Sequence, residues 1–303
     1  MKILITGSNG LLGQKLVSLL TSESSVELVA TSRGENRLRA ANYDYESMDI
    51  TNKEEVKSII EKHKPKVVIN TAAMTNVDEC ETKKEACWKL NVDAVEYLVD
   101  ACNEIGAHLV HVSTDFIFDG TKGPLEEDEE PNPVNYYGES KLAAEKLIEE
   151  KCESWGIART VLVYGIAADM SRSNIILWVK KSLENGKEIN VVNDQWRTPT
   201  LAEDLAMGCY LMAKKKAKGI YHISGKDMLT PYEIAIKTAD HFKLDKSLIT
   251  ETDGSKFQQE AKRPPKTGFV IDKAKNELDY DPRSFEGGLS ILGEQLKKQQ
   301  KQE

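Results

Sequence analysis

No apolar stretch in this chain approaches the ~20 residues that a membrane-crossing helix requires. The apolar run that opens MKILITG is also far too short for a secretory signal, so a cytoplasmic protein with no membrane partner is expected. Cysteine is scarce: there are five, at positions 80, 87, 102, 152 and 209, an odd number without a CxxC pair. That argues against a disulfide framework and against a zinc site, and no metal is expected. The five histidines offer no ligand set either. His108 and His111 lie three apart in one expected strand, hence on opposite faces, and packing roles are expected for both. An excess of cations is missing too. Lys and Arg number 41 against 49 Asp and Glu, a net charge of −8 with a pI near 5.4. Such a surface does not draw nucleic acid or anionic membrane, so neither is an expected partner. An anionic ligand must instead be met by local dipoles and a few placed cations.

What is present is a β-rich run alternating with helical patterns. KILIT (2–6), VELVAT (26–31), KVVINT (66–71), HLVHVS (108–113) and RTVLVY (159–164) are near-continuous apolar runs, as strands buried on both faces should be. Helical stretches fall at 11–21, 53–63, 83–105 and 138–152. This rhythm predicts an α/β fold, a doubly wound parallel sheet of Rossmann type with right-handed crossovers. After Tyr164 the rhythm loosens into helices at 173–187, 201–215 and 230–242, with a strand at 219–224. The expected division is a dinucleotide-binding domain of 1–165 and 200–222, and a smaller substrate-binding lobe of 166–199 and 223–303. At 303 residues the chain can bury a sizeable core in this arrangement.

The loop TGSNGLLG (6–13) follows the first strand and opens the first helix. Gly7 permits the sharp turn, Gly10 lets backbone approach a pyrophosphate, and Gly13 allows close helix–sheet packing. The helix N-terminus offers N–H groups and partial positive charge to phosphates. In this strand–loop–helix setting the pattern points to a dinucleotide. The second strand ends in ATSRG, with Ser32 and Arg33 and no carboxylate to hold a ribose 2′-hydroxyl. That favours NADPH, with NADH possible and an exposed loop arginine as the competing reading. Asp49 could reach an adenine amino group while Ile50 packs on the ring, or Asp49 could cap the turn before TNKEEV. NTAAMT (70–75) ends its strand on small residues, which leave room for a ligand in the crevice.

HVSTDFIFDG (111–120) ends the next strand on Ser113 and Thr114, and NYYGESK (135–141) begins the helix that follows. Residues four apart on a helix share a face, so Tyr137 and Lys141 point the same way, whereas Tyr136 pairs with Ser140. A ketone receiving hydride accumulates negative charge on oxygen, and a phenol of pKa near 10 is a poor donor at neutral pH. A neighbouring ammonium lowers that value, so Thr114, Tyr137 and Lys141 form a candidate proton-donating set. Lys141 can also hold the nicotinamide ribose. Tyr136 is expected to pack or to wall the substrate.

With these motifs assembled, the chain resembles the extended short-chain dehydrogenase/reductases, within them the branch that reduces 4-keto sugars carried on a nucleotide. The likeness runs through TGSNGLLG, MDI, NTAAMTNVDECE, LNVDAVEYL, VSTDFIFDG, PNPVNYYGESKLAAE, NDQWRTPTLAEDLA and the late KRPP. The resemblance implies reduction of the 4-keto group of a nucleotide-linked 6-deoxy sugar, most nearly dTDP-4-dehydro-L-rhamnose. It implies that Gly10, Leu11 and Leu12 meet the cofactor pyrophosphate, in a cofactor-binding loop that also includes Gly7, Asn9 and Gly13. Asp49 and Ile50 fall on the adenine side, Thr71, Ala72 and Ala73 on the inner wall, and Asn91 supports that region. Asp115 and Leu162 fall on the sugar side, and Arg263, in its Arg-Pro context, is expected to meet the diphosphate.

Three departures lie on the substrate side. Leu162 stands where the family usually has an aromatic residue, Arg197 where it has a small one, and PKTGF follows Arg263-Pro264 in place of the usual stretch. Other activities of the superfamily are weighed by single residues. A dehydratase needs Glu after the Thr-Asp pair, and Phe116 stands there. An epimerase would retain tightly bound oxidised cofactor. A non-catalytic cofactor-binding regulatory subunit would not need the Thr114–Tyr137–Lys141 set. A homodimer is compatible with the sequence, which does not fix the oligomeric state.

Overall fold

The computed structural model describes residues 1–38, 42–168, 174–256 and 260–300. Strands β1 (Lys2–Thr6), β2 (Glu27–Ser32), β3 (Asp44–Ser47), β4 (Val67–Asn70), β5 (His108–Thr114) and β6 (Trp155–Thr160) build most of one sheet. Short strands β7 (Val163–Tyr164), β8 (Ile189–Val192) and β9 (Thr200–Leu201) follow, then β10 (Gly219–His222) and β11 (Ile249–Thr252). Seven strands lie in the order β10-β6-β5-β4-β1-β2-β3, all parallel. This is the doubly wound order, extended at one edge by β10.

The helices are α1 (Leu11–Leu20), α2 (Lys53–His63), α3 (Val77–Thr82), α4 (Lys84–Trp88), α5 (Ala94–Ile105), α6 (Tyr136–Lys151), α7 (Ile175–Glu184), α8 (Ala202–Lys215), α9 (Pro231–Phe242), α10 (Asp272–Leu278) and α11 (Phe285–Gln300). Alternate side chains of β1 explain why both faces of the sheet must be covered. Ile3 and Ile5 enter the core beneath α1, α8 and α10, while Leu4 enters the core beneath α2, α5 and α6. The smaller lobe has its own cores: α7 and α9 pack with the β8–β11 pair, and α11 packs with Tyr164 and Leu201. Thr230 and Glu233 form a capping box at the start of α9, with Pro231 in its first turn. Among the described residues no helix is long and apolar enough to cross a membrane.

Three expectations are corrected. The strand expected at 159–164 is instead β6 at Trp155–Thr160, and Val163–Tyr164 pairs separately with β9. Leu162 breaks the run with a left-handed φ of 38°. The true strand was hidden because Gly156 must stay small: a Cβ there would come within 2.5 Å of the Ala217 carbonyl. The helix expected at 83–105 is interrupted, running as α4, a π-helical turn at Lys89–Asp93 and then α5. The stretch from Phe269 to Tyr280, allotted to the lobe, places Phe269, Ile271, Ala274, Leu278 and Tyr280 in the core of the sheet domain. Ser173, expected to open the helix observed as α7, lies outside the described residues, as do 301–303 of the polar tail.

Candidate functional site

Thr114 closes β5 and Tyr137 lies in the first turn of α6, so chain ends that are far apart in sequence meet at the carboxyl edge of the sheet. Asn135 caps α6 by accepting from the Gly138 N–H at 2.8 Å. Gly138 has no room for a Cβ, which would collide with the Phe116 carbonyl, so glycine is what lets the helix start rest on the turn after β5. This close approach buries Tyr137 against the turn after β5, edge-on to Phe116. Farther along α6, Glu145 makes a fully buried ion pair with Arg159 of β6 at 2.7 Å, which fixes the helix against the sheet.

Tyr137 and Lys141 are both buried. The sequence argument has Lys141 lowering the pKa of the phenol, and the structure differs. Burial pushes the Tyr137 phenol above its ordinary value, opposed by the Thr114 side chain. Lys141 Nζ is instead 2.9 Å from His111 Nε2 and donates to the Val112 carbonyl at 2.7 Å. Burial takes Lys141 down to about 8, with Glu145 and Cys87 acting the other way. His111 was expected only to pack, and here it touches the candidate lysine. Its signal was the sheet register, which a one-strand reading of His108 and His111 does not contain.

The glycine loop meets the requirements for a dinucleotide. Gly7 has φ 70°, and a Cβ on it would come within 2.9 Å of both the Ala72 nitrogen and Thr71 Oγ1. A Cβ on Gly13 would collide with the Gly7 carbonyl. Thr71 Oγ1 donates to the Thr6 carbonyl at 2.7 Å, so the loop and the small residues after β4 lie side by side. Gly10 is the N-cap of α1, which has no side-chain cap and no acidic residue in its first turn. Its N-terminal field is therefore available to an anion. Leu11 and Leu12 begin that helix. Asn9 ties the loop to the β2–β3 connection: Nδ2 donates to the Glu35 carbonyl at 2.9 Å and Oδ1 accepts from the Arg37 N–H at 3.0 Å.

Ser32 ends β2, and Arg33 is exposed just beyond it. Asp49 is half-buried and accepts from both the N–H and the hydroxyl of Thr51, while Asn52 caps α2. Burial alone would raise the Asp49 carboxyl, but the Thr51 hydrogen bonds and then Arg33 and Lys89 leave it below its ordinary value. Ile50 is buried in the core beneath α2 and α5. Asn91 sits in the π-helical turn, accepts from the Met74 N–H at 2.8 Å and donates to Ser140 Oγ at 3.0 Å. It thereby holds the Ala72–Ala73 segment against α6.

The substrate side is arranged differently. Asp115 is buried, with one oxygen accepting from Thr114 at 3.2 Å and the other from Thr267, and with Arg197 Nε 3.8 Å away. Arg197 is itself buried and donates to the carbonyls of Trp196, Pro264 and Pro265. It clasps the segment around Pro264 to the end of β5. Arg263 makes a two-pronged ion pair with Asp78 of α3, at 2.9 and 2.7 Å. It borders a cleft of about 300 Å3 lined also by Asp194, Gln195, Gly254 and Lys262. Leu162 is exposed. Phe116, where a dehydratase needs Glu, packs edge-on against Tyr137 at 5.9 Å. Asp78 and Thr267 were not singled out from sequence; their partners lie 185 and 152 residues away in the chain.

Comparison with known proteins is consistent in family and varied in activity. The profile of the RmlD substrate binding domain matches residues 1–297. The chain is 30% identical to a dTDP-4-dehydrorhamnose reductase of Aggregatibacter actinomycetemcomitans, over 96% of this chain and 98% of that one. It is 34% identical to methionine adenosyltransferase 2 subunit beta of Xenopus laevis, over 81% of this chain and 73% of that one. Among solved structures, a dTDP-4-dehydrorhamnose reductase of Clostridium acetobutylicum superposes with a TM-score of 0.87 at 30% identity, covering 98% and 100% of the two chains. One of Bacillus anthracis, solved with NADP, superposes at 0.84 with 26% identity, covering 97% and 99%.

Proposed function

The chain belongs to the RmlD substrate binding domain family, and from that membership we propose that it reduces the 4-keto group of a nucleotide-linked 6-deoxy sugar with NAD(P)H. The preferred substrate is dTDP-4-dehydro-L-rhamnose, giving dTDP-L-rhamnose. The observation that carries the reading is the buried pair Tyr137 and Lys141 one helical turn apart at the start of α6, with Thr114 at the end of β5, at the sheet edge that also holds the glycine loop. NADPH is the first choice of cofactor and NADH the second. Gly7, Asn9, Gly10, Leu11, Leu12 and Gly13 would hold the pyrophosphate, and Asp49 and Ile50 the adenine. Ser32 and Arg33 would meet the 2′ position, with Thr71, Ala72, Ala73 and Asn91 forming the inner wall. When bound, the nicotinamide supplies hydride to the carbonyl carbon. Thr114 donates a hydrogen bond to the carbonyl oxygen, and Tyr137 gives that oxygen a proton as charge grows on it. Lys141, held by His111 and the Val112 carbonyl, orients the ribose. Asp115 and Leu162 border the sugar, Arg263 meets the diphosphate, and the active form is a homodimer that binds no nucleic acid.

A panel of 4-keto-6-deoxy nucleotide sugars, followed by loss of NADPH absorbance, tests the proposal. Turnover of at least one member is expected, and NADPH left intact by every member would overturn it. The 34% identity to a methionine adenosyltransferase beta subunit favours a second reading, a cofactor-binding regulatory subunit. In that case NADPH binds, nothing is reduced, and Tyr137→Phe changes nothing measurable.

A further inference from the structure

We infer that His111 is a positioning residue for Lys141. Braced by Asn70 and Thr6 in one row across the sheet, its imidazole holds the lysine nitrogen and couples the lysine's charge to the ring's own tautomer. The inference rests on the reductase reading for its catalytic meaning, and on geometry for its existence.

The row follows from register. Thr6 of β1 is aligned with Asn70 of β4, and Asn70 with His111 of β5, so the three side chains share a face. Lys141 comes down on them from α6. All four residues are at most 2% exposed, so each polar atom must find a partner inside the protein. Thr6 Oγ1 donates to Asn70 Oδ1 at 2.6 Å, Asn70 Nδ2 lies 3.0 Å from His111 Nδ1, and His111 Nε2 lies 2.9 Å from Lys141 Nζ.

These contacts constrain one another. With the Asn70 amide donating to Nδ1, the ring proton is on Nε2 and points at the lysine nitrogen. That contact is a hydrogen bond only if Lys141 is a free amine with a lone pair to offer. An ammonium requires the reverse order. The ring proton then sits on Nδ1, the Asn70 amide is turned so that its oxygen faces the ring, and Thr6 accepts from the amide nitrogen. Both ring nitrogens keep a partner in both arrangements, and the imidazole carries one ring proton in both. Burial, and then Lys141, hold its basicity well below the ordinary value, so it stays neutral. The Val112 carbonyl takes another lysine N–H, which leaves the outward-facing one for phenol or ribose. The remaining groups facing Lys141 are Tyr137 and Glu145 on α6, with Glu145 taken by Arg159, and Cys87 from α4; Asp115, just past β5, faces Tyr137.

The test is nitrogen NMR of the full-length chain labelled with 15N-histidine, without substrate. The His111 ring should pass from the Nδ1–H to the Nε2–H pattern as pH rises through the lysine's value, about 8. A single tautomer from about pH 6 to about pH 10 would overturn the coupling. Asn70→Asp presents only oxygen to the ring, fixes the proton on Nδ1 and favours the ammonium. It should abolish the tautomer change and move the alkaline limb of kcat/KM up by about one unit. His111→Gln, which keeps a donor and an acceptor, should retain activity. His111→Phe should raise KM for NADPH and lower kcat together by roughly tenfold or more. A wild-type profile in His111→Phe would remove the positioning role. Because the NMR signal needs no substrate, a chain that reduces no 4-keto sugar still reports the coupling, so the two failures are distinguishable.

Discussion

The cofactor half and the substrate half of this molecule treat charge in opposite ways. At the glycine loop the positive field is backbone: α1 is capped by Gly10 with no side-chain cap and no acidic residue in its first turn, and the loop's Asn9 side chain turns away to the β2–β3 connection. On the other side, Arg263, expected to meet a diphosphate, is already clamped by Asp78, and Arg197 is engaged beside buried Asp115. A preorganised dipole binds an anion without first losing a partner. A paired arginine must exchange one, so its net gain is smaller and depends on the exchange. Binding of the cofactor pyrophosphate should therefore be robust to substitution of any one side chain, and substrate binding sensitive to the acids that hold the arginines.

The largest expected effect lies where the halves meet. Tyr137→Phe should lower turnover by roughly 10²–10⁴-fold while leaving NADPH affinity near wild type. Tyr136→Phe should do far less, since its ring packs at a tilt against Trp88. Single-turnover measurements decide it, and equal losses from both substitutions would place the proton donor elsewhere.

Next is Arg197. Replacing it with Ala leaves Asp115 buried without a nearby cation and the Pro264 carbonyl without its donor, while the Trp196 and Pro265 carbonyls keep backbone donors. A loss on the order of 3 kcal/mol is expected in urea unfolding, because the remaining buried groups lose their partners. Asp115→Asn should recover part of that loss when combined with Arg197→Ala, since it removes the charge. If the single substitution costs nothing, the clasp between the Pro264 segment and β5 is ornamental and the contrast between halves weakens.

These two halves also differed in how far the sequence revealed them. The cofactor side was legible because its parts are local: TGSNGLLG carries turn, approach and packing within eight residues, and Tyr137 and Lys141 are one turn apart. The parallel doubly wound sheet followed from the alternation of apolar runs with helices, although β3 was not read as a strand. The substrate side was not legible, since Asp78–Arg263 and Asp115–Thr267 join segments more than 150 residues apart, and no local pattern marks them. His111 belongs to the same class: its neighbours are fixed by strand register, and a strand read alone shows only alternation. β6 was misplaced because Gly156 replaces an apolar signal with a packing requirement.

A smaller effect tests the backbone character of the cofactor half. Arg33 is exposed at the end of β2, where no acid stands to favour NADH. Arg33→Ala should reduce the preference for NADPH by roughly tenfold, the scale of one charge-assisted contact, and leave NADH kinetics unchanged. A clear NADH preference in kcat/KM, untouched by the substitution, would show that Arg33 does not read the 2′ position.

The smallest expected effect on stability, and the sharpest on the comparison, concerns Asp78 and Arg263. Arg263 is the first cause that holds the Asp78 carboxyl below its ordinary value, with the Ala261 N–H helping against partial burial. For an acid whose folded value is depressed, the stabilisation is complete above the unfolded value of about 4 and is lost as pH falls through the lower folded one. The clamp is thus fully formed at neutral pH, where a diphosphate must compete with it. Asp78 is 40% exposed, so the pair contributes under about 1 kcal/mol to folding after solvent screening. Asp78→Asn should lower Tm by only a degree or two, roughly. It should also free Arg263 and tighten nucleoside diphosphate binding in calorimetry, whereas Arg263→Ala should weaken it and raise KM for the nucleotide sugar, with NADPH binding unchanged in both. If the two variants shift diphosphate affinity in the same direction, Arg263 is a strut between α3 and the Pro264 segment, and the diphosphate is met elsewhere.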